Sequence, residues 1–417
     1  MQDPLIDRAN ARAIDIIVGA RPFLVDLASA SAVIPELDPG ELLHAGPPLA
    51  DHDVWCNALR GAIAGTLAVD GAAPDVAAAQ ALLREGNVRL RSGHERHAMC
   101  TFGGVIAAST PVFVVENRAT GTRAYAAINE GRGAALRYGS TAPETLQRVR
   151  WLHGEFAAVL GSAIRHMGGC DLLPMMRDAL AMGDELHSRQ KAASALFHGA
   201  VAPAVCEAAE TPAQASRVLA FLASNDFFFL PLAMASAESA LVPAHGIAGS
   251  SIVTAIAFNG ARCGIRVSGL PGWCTAPAPS VVGRYFKGFG ERDAGPVIGD
   301  SEIMETLGLG ASALGGAPVL ANYLGGDTAF GRRITEEMYA ITVTEHPAFA
   351  LPCLDGRGAP LGIEVGKVLA TGITPAFNTG IAHVDAGIGQ IGAGHGRVPI
   401  ECFEQAGRLL DRRAEVR

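Results

Sequence analysis

The dipeptide Asn259-Gly260 stands between two runs rich in β-branched and apolar residues, 250–258 (SSIVTAIAF) and 261–268 (ARCGIRVS). Asn-Gly accepts positive φ at both central positions of a type I′ turn, whose twist matches that of paired strands. The sequence therefore predicts an antiparallel hairpin here. A lone hairpin is at best marginal in water, so a larger sheet or packed helices must support it. A second pair of short apolar runs, 111–116 (PVFVVE) and 123–128, flanks a Gly121-Thr122 turn and predicts another hairpin.

Around these strands the spacing of apolar residues changes to that of helices. Segments 8–18, 53–69 and 74–85 read as helices, the last opened by Pro74 in its first turn. From 143 to 241 the pattern is almost wholly helical, with candidates at 143–167, 171–182, 184–201, 212–223 and 227–241. Asp, Ser or Thr near several starts supplies caps. After the Asn-Gly hairpin come a helix at 301–307, an Ala-rich helix near Ala311, a charged helix at 327–346, a Gly-rich stretch 372–396 and a last helix at 399–413. The expected fold is α+β: a mixed α/β region over 1–142, a helical domain over 143–245 and a second α+β region over 246–417.

Composition excludes several classes. Lys+Arg number 33 against 41 Asp+Glu, a formal net charge of −8, with no basic run to hold a phosphate backbone, so nucleic acid is not an expected partner. Hydrophobic residues make up 49%, yet charges interrupt every apolar stretch before it reaches the length of a membrane span. The eight cysteines show no CxxC spacing, which argues against a zinc site and for free thiols in a reducing cytoplasm. The polar start, 1–9, with Asp3 and Asp7, does not read as a signal peptide. GxxxxGK[ST], GxSxG and HExxH are absent, and Gly308-Leu309-Gly310 follows a helix pattern, so it is no dinucleotide fingerprint.

Four constellations carry candidate chemistry. Asn117, Asn129 and Glu130 fall just after two strands, near Arg123, Arg132 and Arg137, whose guanidinium forks suit carboxylate or phosphate; the alternative is exposed turn decoration. Asp184 and His187, three apart on an expected helix, could form a polar site pair or simply complement a helix dipole. Asp300 and Ser301 precede an expected helix and serve as its cap, or present N–H groups to an anion. Asn378, Thr379, His383 and Gln390 lie among the glycines of 371–394, where backbone either wraps a small polar ligand or makes tight turns. The cluster His94-Glu95-Arg96-His97 reads as a solvated loop.

LLHAGPP (42–48), VVEN (114–117), RAYAAINEGRG (123–133), MGDELHSR (182–189), SIVTAIAFNG (251–260), GIRVSGL (264–270), GDSEIMETLGLG (299–310) and TGITPAFNTGIAHVDAGIGQIGAG (371–394) together resemble the YlbE-like family, which includes the AllG subunits of oxamate carbamoyltransferase. The likeness runs nearly end to end, and departs at Gln190 and around 94–101. It implies a role in converting oxalurate and phosphate to oxamate and carbamoyl phosphate during allantoin breakdown, beside FdrA-like and AllH-like subunits in an oligomer, in the cytoplasm. The alternatives are a non-catalytic scaffold subunit, or a standalone enzyme acting on a related ureido or amide compound. The phosphate loop and HPxQ motif of the aspartate- and ornithine-type transcarbamylases are replaced here by Ser140-Thr-Ala-Pro and His346-Pro-Ala-Phe. On this reading Arg123, Arg137 and Arg266 include the anion binders. Asn117, Asn129, Asn378 and Thr379 orient the ureido group, and His187 or His383, with Asp184, carries protons. Glu130, Asp300, Ser301 and Gln390 complete the substrate contacts. No cofactor or metal is expected. Asn117, Arg123, Asn378 and His383 are expected to share one cavity.

Overall fold

The computed structural model describes residues 4–50 and 53–415. Val253–Asn259 pairs antiparallel with Arg262–Val267, Phe258 opposite Cys263. The hairpin stands, but its turn is not type I′, because only Gly260 has a positive φ, +89°. Asn259 instead accepts hydrogen bonds from the N–H groups of Ala261 (3.0 Å) and Arg262 (2.7 Å), and donates to the Pro47 carbonyl at 2.9 Å. Its side chain replaces the second left-handed residue by bonding its own turn. Trp273–Pro277 and Ile298–Gly299 complete a four-stranded sheet.

Pro111–Asn117 and Arg123–Ala127 also form the expected antiparallel pair, Val114 opposite Tyr125. They sit inside a five-stranded sheet with Ala98–Met99, Pro22–Ser29 and Cys170–Asp171. Alternate residues of Pro111–Asn117 feed two cores. Phe113 and Val115 join Phe156, Phe197 and Phe228, whereas Val112 and Val114 join Leu59 and Ile63 on the other face. Both faces are covered, which is why the strand reads as a continuous apolar run rather than an alternating one.

The 143–241 stretch is helical, as expected: Pro143–Trp151, Ala157–His166, Leu172–Ala181, Lys191–Ala208, Pro212–Ser224 and Leu230–Leu241. Leu152–Phe156, between the first two, is a π-helical turn that no sequence feature announced. Every residue of Leu230–Leu241 is buried, Glu238 included. The largest core gathers side chains from Ala13 and Leu24 through these helices to Ile303 and Phe349.

The expected helix at 184–201 begins only at Lys191, so Asp184 and His187 share no helical face. Local hydrogen bonding explains the difference. Asp184 Oδ2 accepts from the N–H groups of Ala192 (2.6 Å) and Ala193 (3.0 Å), capping the helix from six residues upstream of its cap position, Gln190. The Glu185 carboxylate accepts from the N–H groups of His187, Ser188 and Arg189. This folds 183–190 into a loop in which buried Leu186 takes φ +68°. Such a conformation costs a branched residue on the order of 1–3 kcal/mol, and persists only where surrounding bonds impose it.

The glycine-rich tail is a sheet rather than a string of turns. Ala376–Ala382 pairs with Gln390–Arg397, Thr379 opposite Gly394, and Val282–Tyr285 adds a third strand. A Cβ at Gly380 would stand 2.7 Å from Phe102 Cζ and 2.9 Å from Gln390 Nε2, so the missing side chain is what admits the Phe102 ring. The helix expected at 301–307 shrinks to one turn, Ile303–Thr306, and the one near Ala311 is 3₁₀, Gly310–Gly316. Among the described residues no helix is long and apolar enough to cross a membrane.

Candidate functional site

A cavity of about 50 Å³ lies between the three-stranded sheet of Ala376–Ala382 and Gln390–Arg397, the turn at Leu136–Tyr138 and the loop that carries His187. Its walls carry Asn129, Arg137, Tyr138, His187, Ser188, Ser301, Thr379 and Gln390, with Thr101, Phe102, Phe227 and Leu230 closing the sides.

Arg137 is held in place by its neighbours. Glu130 accepts hydrogen bonds from the N–H groups of Leu136 (2.5 Å) and Arg137 (3.0 Å), fixing the 3₁₀ turn Leu136–Tyr138. Arg137 as a whole is 7% exposed; its guanidinium donates Nη2–H to the Gly131 carbonyl at 2.6 Å and lies 4.7 Å over the Tyr138 ring. Its Nε and Nη1 groups make no hydrogen bond. Among the described residues no carboxylate lies within ion-pair distance of it. A buried guanidinium without an anion is costly.

His187 faces the same cavity. Its Nδ1 lies 2.9 Å from Glu305 Oε1. The same Glu305 oxygen accepts from the Ala311 N–H at 3.0 Å. Gly310 is required beside it, since a Cβ there would fall 2.4 Å from that oxygen. Burial opposes the charged imidazole, but Glu305 outweighs it, and the His187 pKa rises to about 9. Behind the pair, Glu302 is fully buried with both oxygens unpartnered. Burial pushes its carboxyl up to about 8, so it is mostly neutral at pH 7. The arrangement offers an imidazolium oriented by a carboxylate, a free guanidinium and several hydroxyl and amide groups around a space for a small anion.

A second buried charge cluster braces the site. Asp300 accepts from the N–H groups of Gly46 (2.6 Å) and Cys100 (2.8 Å), and its Oδ1 lies 3.1 Å from His94 Nε2. His94 Nδ1 lies 3.5 Å from Glu238. Burial disfavours the charged imidazole, yet Asp300 and Glu238 raise its pKa to about 9. His94 is therefore no solvated loop residue, and Asp300 neither caps a full helix nor reaches the cavity.

Of the residues expected from sequence, Asn129, Arg137, His187, Ser301, Thr379 and Gln390 line the cavity. Glu130 stands behind it as the support of Arg137. Asn378 lies beneath it, donating Nδ2–H to Glu185 at 2.7 Å. Others are placed elsewhere. Asn117 accepts from the Arg21 N–H and donates to the Ser239 carbonyl, which ties off its hairpin. Arg123 is 53% exposed and pairs with Glu116. Arg266 lies over Trp273. His383 accepts from the Asp385 N–H and packs edge-on to Phe289. Asp184 is the helix cap described above. Asn117, Arg123, Asn378 and His383 thus share no cavity, because each is committed to a local contact. The sequence reading overlooked Thr101, Phe102, Tyr138 and Ser188; Phe102 sits in a Thr-Phe-Gly-Gly turn at φ +52°.

Fold and cavity together define an α+β protein with a small cavity lined by polar side chains that come from segments throughout the chain. The family model described as oxamate carbamoyltransferase subunit AllG matches residues 88–301. The chain is 42% identical over 405 residues to the oxamate carbamoyltransferase subunit AllG of Escherichia coli (strain K12), covering 96% of each. It is 37% identical to the uncharacterized protein YahG of the same strain, over 97% of this chain and 86% of that one. A crystal structure of a conserved protein of unknown function from Enterococcus faecalis V583 matches with a TM-score of 0.95 at 36% identity, covering 98% of both chains. The chain belongs to the family of AllG subunits of oxamate carbamoyltransferase.

Proposed function

We propose that this chain is a subunit of an oxamate carbamoyltransferase-type enzyme and that the cavity at Arg137 and His187 is its reaction site. The observation that carries this is the Arg137 guanidinium, buried without a carboxylate partner and with two free donors. In the reaction, a phosphate oxygen attacks the carbamoyl carbon of oxalurate and the C–N bond to the oxamate nitrogen breaks. Arg137 holds an anionic oxygen. Ser301, Thr379, Asn129 and Gln390 offer hydrogen bonds to the ureido group. The His187 imidazolium gives its proton to the departing nitrogen and regains one from the phosphate hydroxyl, so protons balance. Glu305 keeps the ring oriented and charged, a general acid held in position. The family resemblance supports FdrA-like and AllH-like subunits as partners in an oligomer, and a cytoplasmic location in purine catabolism.

The test is oxalurate phosphorolysis by the complex reconstituted with its partner subunits. Arg137→Gln should lower kcat/KM by about 100-fold or more, the scale of losing one stabiliser of a developing charge, at a Tm no lower than that of the wild type. Full activity in that variant would remove Arg137 from the reaction and favour a scaffolding role for this subunit.

A further inference from the structure

We infer that Phe102 determines the length of the substrate, its ring standing as a partition between the reaction cavity and a larger neighbouring cleft. This rests on the reading of the cavity at Arg137 and His187 as the reaction site. Beside that cavity, of about 50 Å³, lies a cleft of about 350 Å³ whose lining includes Ser280, Tyr285, Glu291 and Ala382. Phe102 and Gly380 line both. The ring itself stands at the boundary. Its centroid lies 4.8 Å from that of Tyr138, which lines the first cavity, and it packs in one apolar cluster with Ala382, which lines the second. Its tip faces Gly380, where a Cβ would fall 2.7 Å from the Phe102 Cζ.

The backbone holds the ring there against its own preference. Phe102 takes φ +52°, a left-handed conformation that is costly for a bulky side chain. A glycine would adopt it freely. The turn is fixed from both ends. The Cys100 N–H donates to Asp300 Oδ2 at 2.8 Å, and the Cys100 carbonyl accepts from the Asp300 N–H at 3.1 Å. Asp300 in turn faces His94, so the buried charge cluster anchors the turn that carries the ring. The Gly104 N–H closes the turn on the Thr101 carbonyl at 3.1 Å. Gly103 lies against the Arg137 backbone, where a Cβ would stand 3.1 Å from the carbonyl oxygen. Strain kept at an aromatic residue on the wall of a candidate site points to a use for the ring.

The two sides of the ring differ in chemistry. The first cavity holds Arg137, His187 and several hydroxyl and amide groups. The cleft holds no cation; Ala278, Pro279, Val281 and Pro296 give it aliphatic walls, and Glu291 contributes a carboxylate. It therefore suits an uncharged, aliphatic extension of a substrate and disfavours a second anionic group. Its volume falls within the range of about 300–1,000 Å³ usual for ligand sites. With the ring in place, a molecule anchored on Arg137 ends at Phe102. With the ring removed, added methylenes extend past Gly380 into the cleft. Phe102 thus selects oxalurate against its longer homologues.

The monoureides of malonic and succinic acid lengthen oxalurate by added methylenes and keep its charge, so they probe length alone. Phosphorolysis of the three compounds is compared in the enzyme reconstituted with its partner subunits. The wild type should prefer oxalurate over the malonic homologue by about tenfold or more in kcat/KM, the scale of one methylene in a fitted pocket. Phe102→Ala should bring that preference within about threefold, chiefly through a lower KM for the longer compounds. Phe102→Leu should fall between the two, and carries the test if the alanine variant does not fold. An unchanged preference in a folded Phe102 variant, or an equal loss on all three compounds, overturns the partition and leaves the ring a packing residue. So does a wild type that takes the longer homologues as readily as oxalurate. These outcomes leave the reaction-site reading intact as long as turnover depends on Arg137. Oxalurate turnover that is absent in the wild type, or that survives Arg137→Gln, removes that reading and this inference with it.

Discussion

His187 and Glu305 are 118 residues apart in sequence, yet Nδ1 of one lies 2.9 Å from Oε1 of the other, inside the protein. The loop that carries His187 is bent by Glu185, and the turn that carries Glu305 is opened by Gly310. Two local conformations, each unfavourable alone, are held so that one proton-bearing pair faces a cavity. Glu305→Gln should leave the ring roughly placed but remove the charge that keeps it protonated. Phosphorolysis by the assembled enzyme should fall about 100-fold or more. In the wild type, activity that depends on the His187 proton should be present at neutral pH and decline as pH rises through about 9. In Glu305→Gln that decline should move to lower pH. A pH–rate profile with the same upper limb in both proteins would show that the pair carries no proton in the reaction.

The His94 cluster makes a claim about stability. Its folded pKa, about 9, lies above the ordinary value of 6.5. The stabilisation is therefore fully present below about pH 6.5 and is lost as pH climbs to about 9. Glu238, held well below the usual carboxylate range despite burial by His94 and His97, acts only in strong acid. Urea denaturation from pH 6 to 9 should show midpoints falling steadily. His94→Ala, which leaves Asp300 and Glu238 facing each other without a cation, should cost about 3–5 kcal/mol at pH 6, as for other broken buried pairs. A flat profile together with a neutral His94→Ala would contradict the assignment.

Glu302 behaves in the opposite way from a paired carboxylate. Burial raises its pKa from 4.5 to about 8, so the folded state binds its proton more tightly than the unfolded chain does. That difference destabilises the fold progressively between about pH 4.5 and 8. Glu302→Gln, which keeps the shape without the ionisation, should be more stable than the wild type at pH 8, by about 4 kcal/mol. The gap should close near pH 4.5. Equal stability of the two proteins across that range would mean that Glu302 is solvated or paired.

Arg123 and Arg137 were equal candidates in the sequence and are opposites in space. Arg123 pairs with Glu116 at a side-chain exposure of 53%, and exposed pairs contribute about 0–1 kcal/mol. Arg123→Ala should thus shift stability by no more than that and leave phosphorolysis within about twofold. Loss of activity in Arg123→Ala on the scale expected for Arg137→Gln would move the site to the hairpin surface.

Local sequence chemistry was enough to find the hairpins at 111–127 and 253–267, the helical character of 143–241 and the α+β class, because strand alternation, helix spacing and turn residues act over a few neighbours. Six residues singled out in the sequence also line the cavity, Thr379 and Gln390 among the tail glycines and Asn129, Arg137, His187 and Ser301 in polar segments between elements. What local chemistry could not supply was depth. The charged run at 94–97 looks solvated until Glu238, from a helix 140 residues on, is seen to meet His94. Asp184 and His187 look helical until the Glu185 carboxylate is seen to gather three N–H groups.

The sequence alone determined the two hairpins, the helical character of 143–241, which family the chain resembles, and which residue types are available for chemistry, since these follow from periodicity, turn propensity, motifs and composition. Only the tertiary structure decided which arginine is buried without a carboxylate partner, which histidine is held by a carboxylate, and that a π-helical turn interrupts the helices between Pro143 and His166. Those properties depend on distance and desolvation between residues far apart in the chain, and neither is encoded in any window short enough to read by eye.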